Sequence, residues 1–554
     1  MARTKDETLR DLTTAYLSNI NLNSPPDPAT VQADILDQTQ LAFQTENAIR
    51  AKAKLNQWKI PDKLAPAQIA DIIMTLYPVA NIAYGSMNAD PEYDVLSIYQ
   101  NDGPDKGIYT SSQQMFYRLI HQYCYTLSDK ETNETIAMLR NNAPRKTRND
   151  KRNLIAVNNG IFDYDTKTLH PFDPNLIFTS KSKVNYNPNA TNPVIHNDED
   201  GTDWDVESWM KELFDDQEIV DLMWQILGAI IRPNVPWGKS AWFYSSTGNN
   251  GKGTLCELMR QIAGEGTYAS IPLADFSKDF MLEPLLKASA IIVDENDVGT
   301  FVDRAANLKA IITNDVIQMN RKFKMPIAFQ FKGFMVQCLN EMPRIKDKSD
   351  SFYRRQLFIP FNKCFTGRER KYIKHDYLHR QDVLEYILNK VLNTNYYTLS
   401  EPEACKIVLE EYKEFNDPIR QFVEEILPTC KWDLLPYTFL YDLYQQWFKK
   451  NAPTGTISGR NTFINDLNKV LYGNPYWYPI PDNKAIRPGH KMDASEPLIK
   501  EYHLQSWMNP TYRGTDPEKL CHPELKSNYK GILRYETKDD NTSDDNTSDD
   551  DATS

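Results

Sequence analysis

The chain has 554 residues, of which 41% are hydrophobic and 25% are charged, proportions that are ordinary for a soluble globular protein. This length allows three or four domains with sizeable cores. No apolar run approaches the ~18 residues of a membrane span, and the N-terminus lacks the apolar core of a signal peptide, so we expect a cytoplasmic protein without membrane contact. The seven cysteines include no CxxC pair, so we expect reduced thiols that form neither disulfides nor zinc sites.

The net charge of −12 argues against a broadly basic, nucleic-acid-binding exterior. Half of that charge comes from residues 538–554, which hold seven Asp and one Lys, a net of −6. Their repetitive acidic composition predicts a disordered tail. Any contact with nucleic acid must therefore come from local basic elements.

Residues 1–80 show helical periodicity. The longest candidate helix covers residues 30–58, and Pro61 and Pro66 are expected to interrupt the helical pattern after it. The segment has no metal-ligand cluster and no paired carboxylates of a nucleotidyl transferase. We interpret it as a helical assembly or partner-binding segment.

Residues 81–205 have an α+β pattern with few long periodic runs. The basic run at 145–152 fits a solvated loop or a phosphate contact. Residues 158–160, Asn-Asn-Gly, predict a tight hairpin turn. The strongest helical periodicity comes next, at 204–232, and its apolar positions are predicted to pack in the core.

A strand, a small Gly- and Asn-rich turn and a helical pattern succeed one another at residues 242–262. This order is typical of a phosphate-binding loop, in which backbone N–H groups and the helix N-terminus hold phosphate oxygens. Lys252 would reach the β and γ phosphates. Ser246 stands where GxxxxGK[ST] has its first glycine, and Gly253 comes directly after the lysine, so Thr254 must offer the hydroxyl to Mg²⁺. A plain Gly-rich strand–helix turn is the alternative. The predicted phosphate-binding residues are Gly248, Asn249, Asn250, Gly251, Lys252, Gly253 and Thr254.

Residues 290–295 predict a buried strand that ends in two carboxylates, about 40 residues after Lys252. At such a strand end Asp294 can hold Mg²⁺, and Glu295 can polarise the attacking water. A strand that leads into an acidic turn is the alternative.

Residues 316–331 predict two strands around a basic tip that contains an aromatic residue. Arg321, Lys322 and Lys324 suit the phosphates of a single strand, and Phe323 suits a base or sugar. A solvated hairpin turn is the alternative.

A third apolar strand at 334–339 ends at Asn340, whose amide can orient the γ-phosphate or its water. An Asn that simply starts a turn is the alternative. Arg354 and Arg355 precede a further apolar strand. The planar, permanently charged guanidinium group suits a finger that stabilises transferred phosphoryl charge, often on a neighbouring subunit.

The C-terminal part contains helical patterns at 419–426, 438–450 and 458–471, and then a basic segment rich in Tyr, Trp and Pro. Two helices joined by a short turn and succeeded by a basic wing predict a winged helix. A helical lid or a protein-contact module is the alternative.

Taken together, the loop, acidic strand, basic hairpin, strand ending in Asn340 and arginine pair resemble the motifs of superfamily 3 helicases, in the same order. These are AAA+-related ring helicases of small DNA viruses, poxviruses, phages and mobile elements. Within them the sequence resembles the phage and poxvirus primase-helicase type over roughly residues 90–380. Residues 153–186 also look like the helicase-associated domain of that group.

The resemblance implies an ATP- and Mg²⁺-dependent motor. Lys252 would bind phosphate, Asp294 and Glu295 would form the Walker B motif, and Asn340 would be the sensor. Thr254 or the loop backbone would assist Mg²⁺.

The resemblance also implies a homohexamer around DNA. Arg355, or Arg354, would complete the ATP site of a neighbouring subunit. In the central pore, the residues expected to track DNA are Arg321, Lys322 and Lys324, with Lys309 as a weaker candidate.

The expected fold class is multidomain α/β. Its centre is an AAA+-like P-loop NTPase with a parallel sheet. An α+β helicase-associated domain comes before this motor, and a winged-helix-like domain comes after it. Only ~90 residues precede the helicase part, too few for the primase domain that many members carry, so we expect a separate primase as partner. The expected boundaries are 1–85 (helical segment), 86–235 (helicase-associated domain), 236–380 (motor), 381–415 (helical connector), 416–510 (winged helix) and 511–554 (extension with acidic tail).

The resemblance favours a helicase that binds single-stranded and forked DNA and unwinds duplex 3′ to 5′ during replication of a phage or mobile element in the bacterial cytoplasm. An origin-binding replication initiator, whose ATPase drives assembly without processive unwinding, is the main alternative. It predicts that the C-terminal module binds a specific duplex. A nucleotide or metabolite kinase is a further alternative, and it predicts no stimulation of turnover by DNA.

Overall fold

The computed structural model of the protein describes residues 4–85, 90–278, 280–302, 304–322, 324–451 and 457–535. The predicted acidic tail and Phe323 lie outside these ranges. The chain divides into two compact units, residues 1–410 and 411–554. Across the described ranges, no helix is long and apolar enough to cross a membrane.

Three helices open the first unit: α1 (Lys5–Ser18), α2 (Pro28–Lys52) and α3 (Pro66–Leu76). At the start of α1, the Thr4 hydroxyl and the Glu7 carboxylate each accept a hydrogen bond from the other residue's backbone N–H. Proline stands in the first turn of α2 and of α3, where its missing N–H costs nothing. Thus α2 covers most of the predicted helix at 30–58, and Pro66 begins a helix where the sequence predicted an interruption.

These helices pack on a mixed four-stranded sheet in the order β3-β2-β1-β4. Val31, Ile69 and Ile98 are members of the core that they share. The expected domain boundary at residue 85 lies between two paired strands of this sheet. Its elements are β1 (Val79–Ala83), β2 (Val95–Tyr99), β3 (Tyr109–Thr110), α4 (Gln113–Tyr123), α5 (Asp129–Asn142) and β4 (Arg145–Thr147).

An antiparallel meander and two helices lead to the motor. Val157 pairs with Gly160, so Asn158 and Asn159 form the predicted two-residue turn. The apolar positions of the predicted helical stretch at 204–232 are buried, as expected, in the core shared with the motor sheet. The elements are β5 (Leu154–Val157), β6 (Gly160–Asp163), β7 (Thr168–His170), β8 (Ile195–His196), β9 (Asp203–Trp204), α6 (Val206–Glu212) and α7 (Gln217–Ile231).

The motor is built on a five-stranded, all-parallel sheet, which confirms the predicted central parallel sheet. The elements in chain order are β10 (Ser240–Tyr244), α8 (Lys252–Ala263), β11 (Tyr268–Ala269), β12 (Ala290–Val293), β13 (Phe301–Val302), α9 (Ala306–Thr313), β14 (Val316–Arg321), β15 (Lys324–Gln330), β16 (Phe334–Leu339), β17 (Arg344–Ile345), α10 (Asp350–Tyr353), β18 (Gln356–Pro360), α11 (Lys371–His375), α12 (Gln381–Asn393) and α13 (Glu403–Asn416). The strand order β11-β12-β16-β10-β18 places the loop strand β10 beside β16, whose end carries Asn340.

The second unit combines helices with an antiparallel sheet in the order β19-β21-β20. Two predicted helices, at 419–426 and 438–450, are present with nearly those bounds, and a third begins at Arg460 with Gly459 as its cap. The elements are α14 (Pro418–Ile426), β19 (Leu434–Pro436), α15 (Tyr437–Asn451), α16 (Arg460–Val470), β20 (Trp477–Pro479), α17 (Leu498–Glu501), α18 (Pro517–Leu520) and β21 (Gly531–Arg534).

Candidate nucleotide site and basic hairpin

The loop between β10 and α8 presents a helix N-terminus at the carboxyl edge of the parallel sheet. Gly251 begins the helix at φ +87°, and a Cβ there would lie 2.8 Å from the side chain of Leu213. Both the backbone conformation and the close approach therefore require glycine. Asn249 is also left-handed, at φ +51°. The cap residue has no side chain to cover the first turn of α8, where the Lys252 N–H donates to Asn250 Oδ1 at 3.4 Å, and a helix N-terminus of this kind suits an anion.

The Lys252 side chain is buried directly under this loop. Its Nζ donates to the backbone oxygen of Leu339 at 3.0 Å and to Asn340 Oδ1 at 2.9 Å, and it lies 3.4 Å from the Ser245 oxygen. Burial lowers the pKa of Lys252. Because β10 and β16 are neighbours, the structure brings together two predicted site residues that lie 88 positions apart.

Asp294 approaches the same helix end from the tip of β12. A Cβ on Gly253 would lie 3.0 Å from Asp294 Oδ1, so the glycine makes room for the carboxylate. The sequence predicts Gly253 as a phosphate-binding residue that departs from the loop motif, but it does not predict this contact with Asp294. Asp294 and Thr254 are half-buried, and Glu295 is exposed.

The two arginines lie at the other edge of the sheet, just before β18. The Ser240 N–H, at the start of β10, donates to the Arg355 oxygen at 2.8 Å. Since β10 has five residues, the arginine backbone lies roughly 13–17 Å from the loop of the same chain. Arg354 is exposed. The Arg355 guanidinium donates to the backbone oxygen and the hydroxyl of Ser351, while its Nε has no hydrogen bond.

A cavity of about 360 Å³ adjoins the loop and the first turn of α8. Trp209, Leu213 and Phe365 give it an apolar wall, and the segment 368–374 adds four basic residues. The Phe365 N–H donates to the Asn249 oxygen at 2.7 Å, which ties that segment to the loop. The sequence did not lead us to predict this cavity. The run Arg-Glu-Arg-Lys at 368–371 is visible in the sequence and indicates its basic side.

The predicted basic hairpin is present as the antiparallel pair β14–β15, in which Arg321 is opposite Lys324. Lys322 is exposed at the tip. Arg321 Nε donates to the Met325 oxygen at 3.1 Å, and burial lowers the pKa of Arg321. The weaker candidate Lys309 lies outside the hairpin, on α9, and its Nζ is 2.5 Å from a carboxylate oxygen of Asp347.

Arg148 fastens the base of this hairpin to the α+β domain. Its guanidinium donates to the backbone oxygens of Tyr84 and Gln330 and lies over the rings of Tyr84 and Phe329, at 4.7 and 5.6 Å. Burial lowers the pKa of Arg148 to about 10, so it stays charged at neutral pH. At this position, therefore, the basic run at 145–152 serves packing.

Three family models match parts of the chain. Residues 99–215 match a model described as D5 N terminal like, residues 414–484 match one described as Poxvirus D5 protein-like, and residues 243–355 match a family of unknown function, DUF5906.

Among curated proteins, a protein of Acanthamoeba polyphaga mimivirus named as a candidate helicase (L207/L206) is 25% identical over 240 residues. That match covers 40% of this chain and 22% of the relative, so the chain spans well under two thirds of the length of that relative.

Among solved structures, an apo C-terminal region of NrS-1 aligns with 85% of this chain and 100% of that one, at 14% identity and a TM-score of 0.41. A JCV helicase aligns with 43% of this chain and 63% of that one, at 13% identity and a TM-score of 0.22. Scores this low do not by themselves establish a shared fold. The family matches and the mimivirus relative confirm the resemblance that the motifs predict: over these segments the chain is similar to poxvirus D5-type proteins and to a mimivirus protein named as a candidate helicase.

Proposed function

We propose that this protein is a ring-shaped, ATP- and Mg²⁺-dependent DNA helicase that unwinds duplex 3′ to 5′ during replication of a phage or mobile element. The observation that carries the proposal is the meeting of Lys252, Asp294 and Asn340 at a glycine-capped helix end, while Arg354 and Arg355 lie at the far edge of the sheet. A site built this way is completed by a second subunit, as a ring of identical chains provides.

The donor set fits a magnesium-bound nucleoside triphosphate. The N–H groups of α8 and the buried ammonium of Lys252 suit phosphate oxygens, and the Asp294 carboxylate and Thr254 hydroxyl are oxygen ligands of the kind that Mg²⁺ prefers. When bound, the cation would neutralise charge on the transferred phosphoryl group. Glu295 would polarise the attacking water, and Asn340 would orient it or the γ-phosphate.

The apolar wall of the adjoining cavity suits the base and ribose of the same nucleotide. Trp209 and Phe365 offer apolar and aromatic surface. Because the loop lies between this wall and Asp294, a nucleotide would place its base at the wall and its phosphates at Lys252.

Replacing Gly253 by alanine tests the assignment of Asp294. The added Cβ would lie 3.0 Å from Asp294 Oδ1, so the carboxylate has to shift by a few tenths of an ångström, and the Kd of Mg²⁺-ATP is expected to rise about threefold, about 0.7 kcal/mol. Calorimetric titration with a non-hydrolysable ATP analogue measures the change. Gly459→Ala, whose Cβ meets nothing within 4 Å, is the matched control. An unchanged Kd in Gly253→Ala contradicts the assignment.

The hairpin β14–β15 would hold the translocated strand. Basic side chains at a hairpin tip supply phosphate contacts of the kind that bind single strands regardless of sequence. In the second unit, the order helix–strand–helix–helix–strand, followed by two short helices and a last strand, and the sheet order β19-β21-β20 support a winged helix that assists DNA binding.

Removal of the hairpin charge tests this role. In Arg321→Ala/Lys322→Ala/Lys324→Ala, the Kd for single-stranded DNA is expected to rise at least tenfold. The slope of log Kd against log salt concentration should fall by the equivalent of about two phosphate contacts. Fluorescence anisotropy at several salt concentrations measures both. The control Lys52→Ala/Lys59→Ala/Lys130→Ala removes the same charge from exposed positions of the N-terminal segment and the α+β domain. Equal losses in both variants would mean that only net charge matters.

ATP hydrolysis with and without single-stranded DNA then separates the helicase from its alternatives. We expect DNA to stimulate turnover in the wild type and not in the hairpin variant. Turnover that ignores DNA in both favours the replication initiator or the kinase.

A further inference from the structure

Two cysteines meet in the core directly under the phosphate-binding loop. Cys256 lies on α8 one turn after Lys252, and Cys338 lies on β16 two residues before Asn340. Their Sγ atoms are 3.2 Å apart, and both side chains are fully buried. A carboxylate oxygen of Asp294 joins them, and the three ligand atoms all lie within 4.8 Å of one another. Neither cysteine takes part in the nucleotide chemistry proposed above.

The three side chains have the chemistry of a site for a soft cation. Two thiolates and one carboxylate suit Zn²⁺ or Cd²⁺, whereas Mg²⁺ prefers oxygen ligands alone. A tetrahedral cation about 2.3 Å from each sulfur holds the two sulfurs about 3.8 Å apart, so this pair needs to open by only about half an ångström.

The charges of the surroundings also balance. Two thiolates and the Asp294 carboxylate carry −3, and a divalent cation leaves −1. The ammonium of Lys252, which interacts electrostatically with all three groups, offsets that charge. Arg260, whose Nη1 is 3.8 Å from Asp294 Oδ2, is itself paired with Glu257 at 3.5 Å, so these two residues add no net charge. A buried site without net charge avoids the cost of an isolated buried ion.

We propose that Cys256, Cys338 and Asp294 form a binding site for a thiophilic divalent cation such as Zn²⁺. Binding releases both thiol protons to solvent and forms two metal–sulfur bonds and one metal–oxygen bond. Asp294 is half-exposed, so the cation enters from its side and keeps a fourth position open to water there. An occupied site takes Asp294 away from Mg²⁺ and inhibits ATP hydrolysis, a consequence that rests on the proposed function.

Cadmium is the probe, added to the full-length, reduced and nucleotide-free protein. Equilibrium dialysis measures binding, and ultraviolet thiolate-to-cadmium charge-transfer absorption reports the sulfur ligands. We expect one tight Cd²⁺ per chain with this absorption. Cys256→Ala and Cys338→Ala should each bind at least tenfold more weakly and lose most of the absorption. Asp294→Asn should weaken binding and keep the absorption, because both thiolates remain.

Two other cysteines provide controls. Cys405→Ala removes a thiol that is equally buried, and Cys364→Ala removes an exposed thiol near the loop. Both should bind Cd²⁺ as the wild type does. Where an alanine variant fails to fold, Cys256→Ser and Cys338→Ser keep the side-chain volume and should show the same loss.

Wild-type binding and absorption in both Cys256→Ala and Cys338→Ala would overturn the proposal. Because binding is measured without ATP or DNA, this test can fail while the helicase proposal stands, and the reverse also holds. Inhibition by Cd²⁺ of hydrolysis in the wild type, reduced at least tenfold in Cys256→Ala/Cys338→Ala, tests the inhibitory consequence separately.

Discussion

ATP hydrolysis by Lys252→Ala is expected to be about a thousandfold slower than in the wild type. The buried ammonium is placed where phosphate charge would develop, and removing one preorganised donor from such a site costs a factor of about 10²–10³. Asn340 would also lose the partner that holds its amide at 2.9 Å in the structure. Steady-state phosphate release at saturating ATP measures the change.

Lys239→Ala is the matched control for that variant. Lys239 lies directly before β10, the strand that leads into the phosphate-binding loop, and therefore at the opposite edge of the sheet from Lys252. Its Nζ is 2.8 Å from a Glu401 carboxylate oxygen. Its loss should leave the rate of hydrolysis within a few-fold of the wild type. A Lys252→Ala protein that retains a tenth of the activity or more contradicts the assignment of this lysine to the phosphates.

The second large effect is expected in trans. Arg355→Ala, or Arg354→Ala if the neighbouring arginine is the finger, should lower hydrolysis about a thousandfold as a pure protein. Mixed with Lys252→Ala at equal amounts, the inactive arginine variant should regain hydrolysis. The mixture contains interfaces in which an intact loop faces an intact arginine, and random assembly makes these about a quarter of the total.

The same experiment decides which arginine is the finger. The variant that is inactive alone and complements Lys252→Ala identifies the finger, and the other arginine serves as its control. An arginine variant that is inactive in both conditions shows a damaged subunit. Full activity of both single arginine variants contradicts completion of the site by a second subunit.

The parts of the site that lie at strand ends are visible in the sequence. Lys252, Asp294 and Asn340 each come directly after an apolar strand of the predicted sheet or its loop, and carboxyl ends of parallel strands share one edge. Periodicity likewise predicts the packed helices at 204–232 and the turn at Asn158 and Asn159, because each depends on neighbouring residues.

Other features depend on contacts between residues far apart in the chain, and no local pattern marks them. The sequence predicts Gly253 as a residue of the phosphate-binding loop, but its contact with Asp294, 41 positions away, is visible only in the structure. The run at 145–152 has the sequence pattern of a solvated loop. In the structure, however, Arg148 donates a hydrogen bond to the backbone oxygen of Gln330, 182 positions away. Cys256 and Cys338 lie far apart in the sequence, and only the packing of α8 on β16 brings their thiols together.

Strand displacement tests the central claim most directly. The substrates are forked duplexes that carry either a 3′ or a 5′ single-stranded tail, with wild-type protein beside Lys252→Ala. We expect release of the displaced strand from the 3′-tailed fork only, with ATP and Mg²⁺ and only by the wild type. ATP hydrolysis by the wild type without strand release on either fork would contradict a helicase and leave an ATPase with another task.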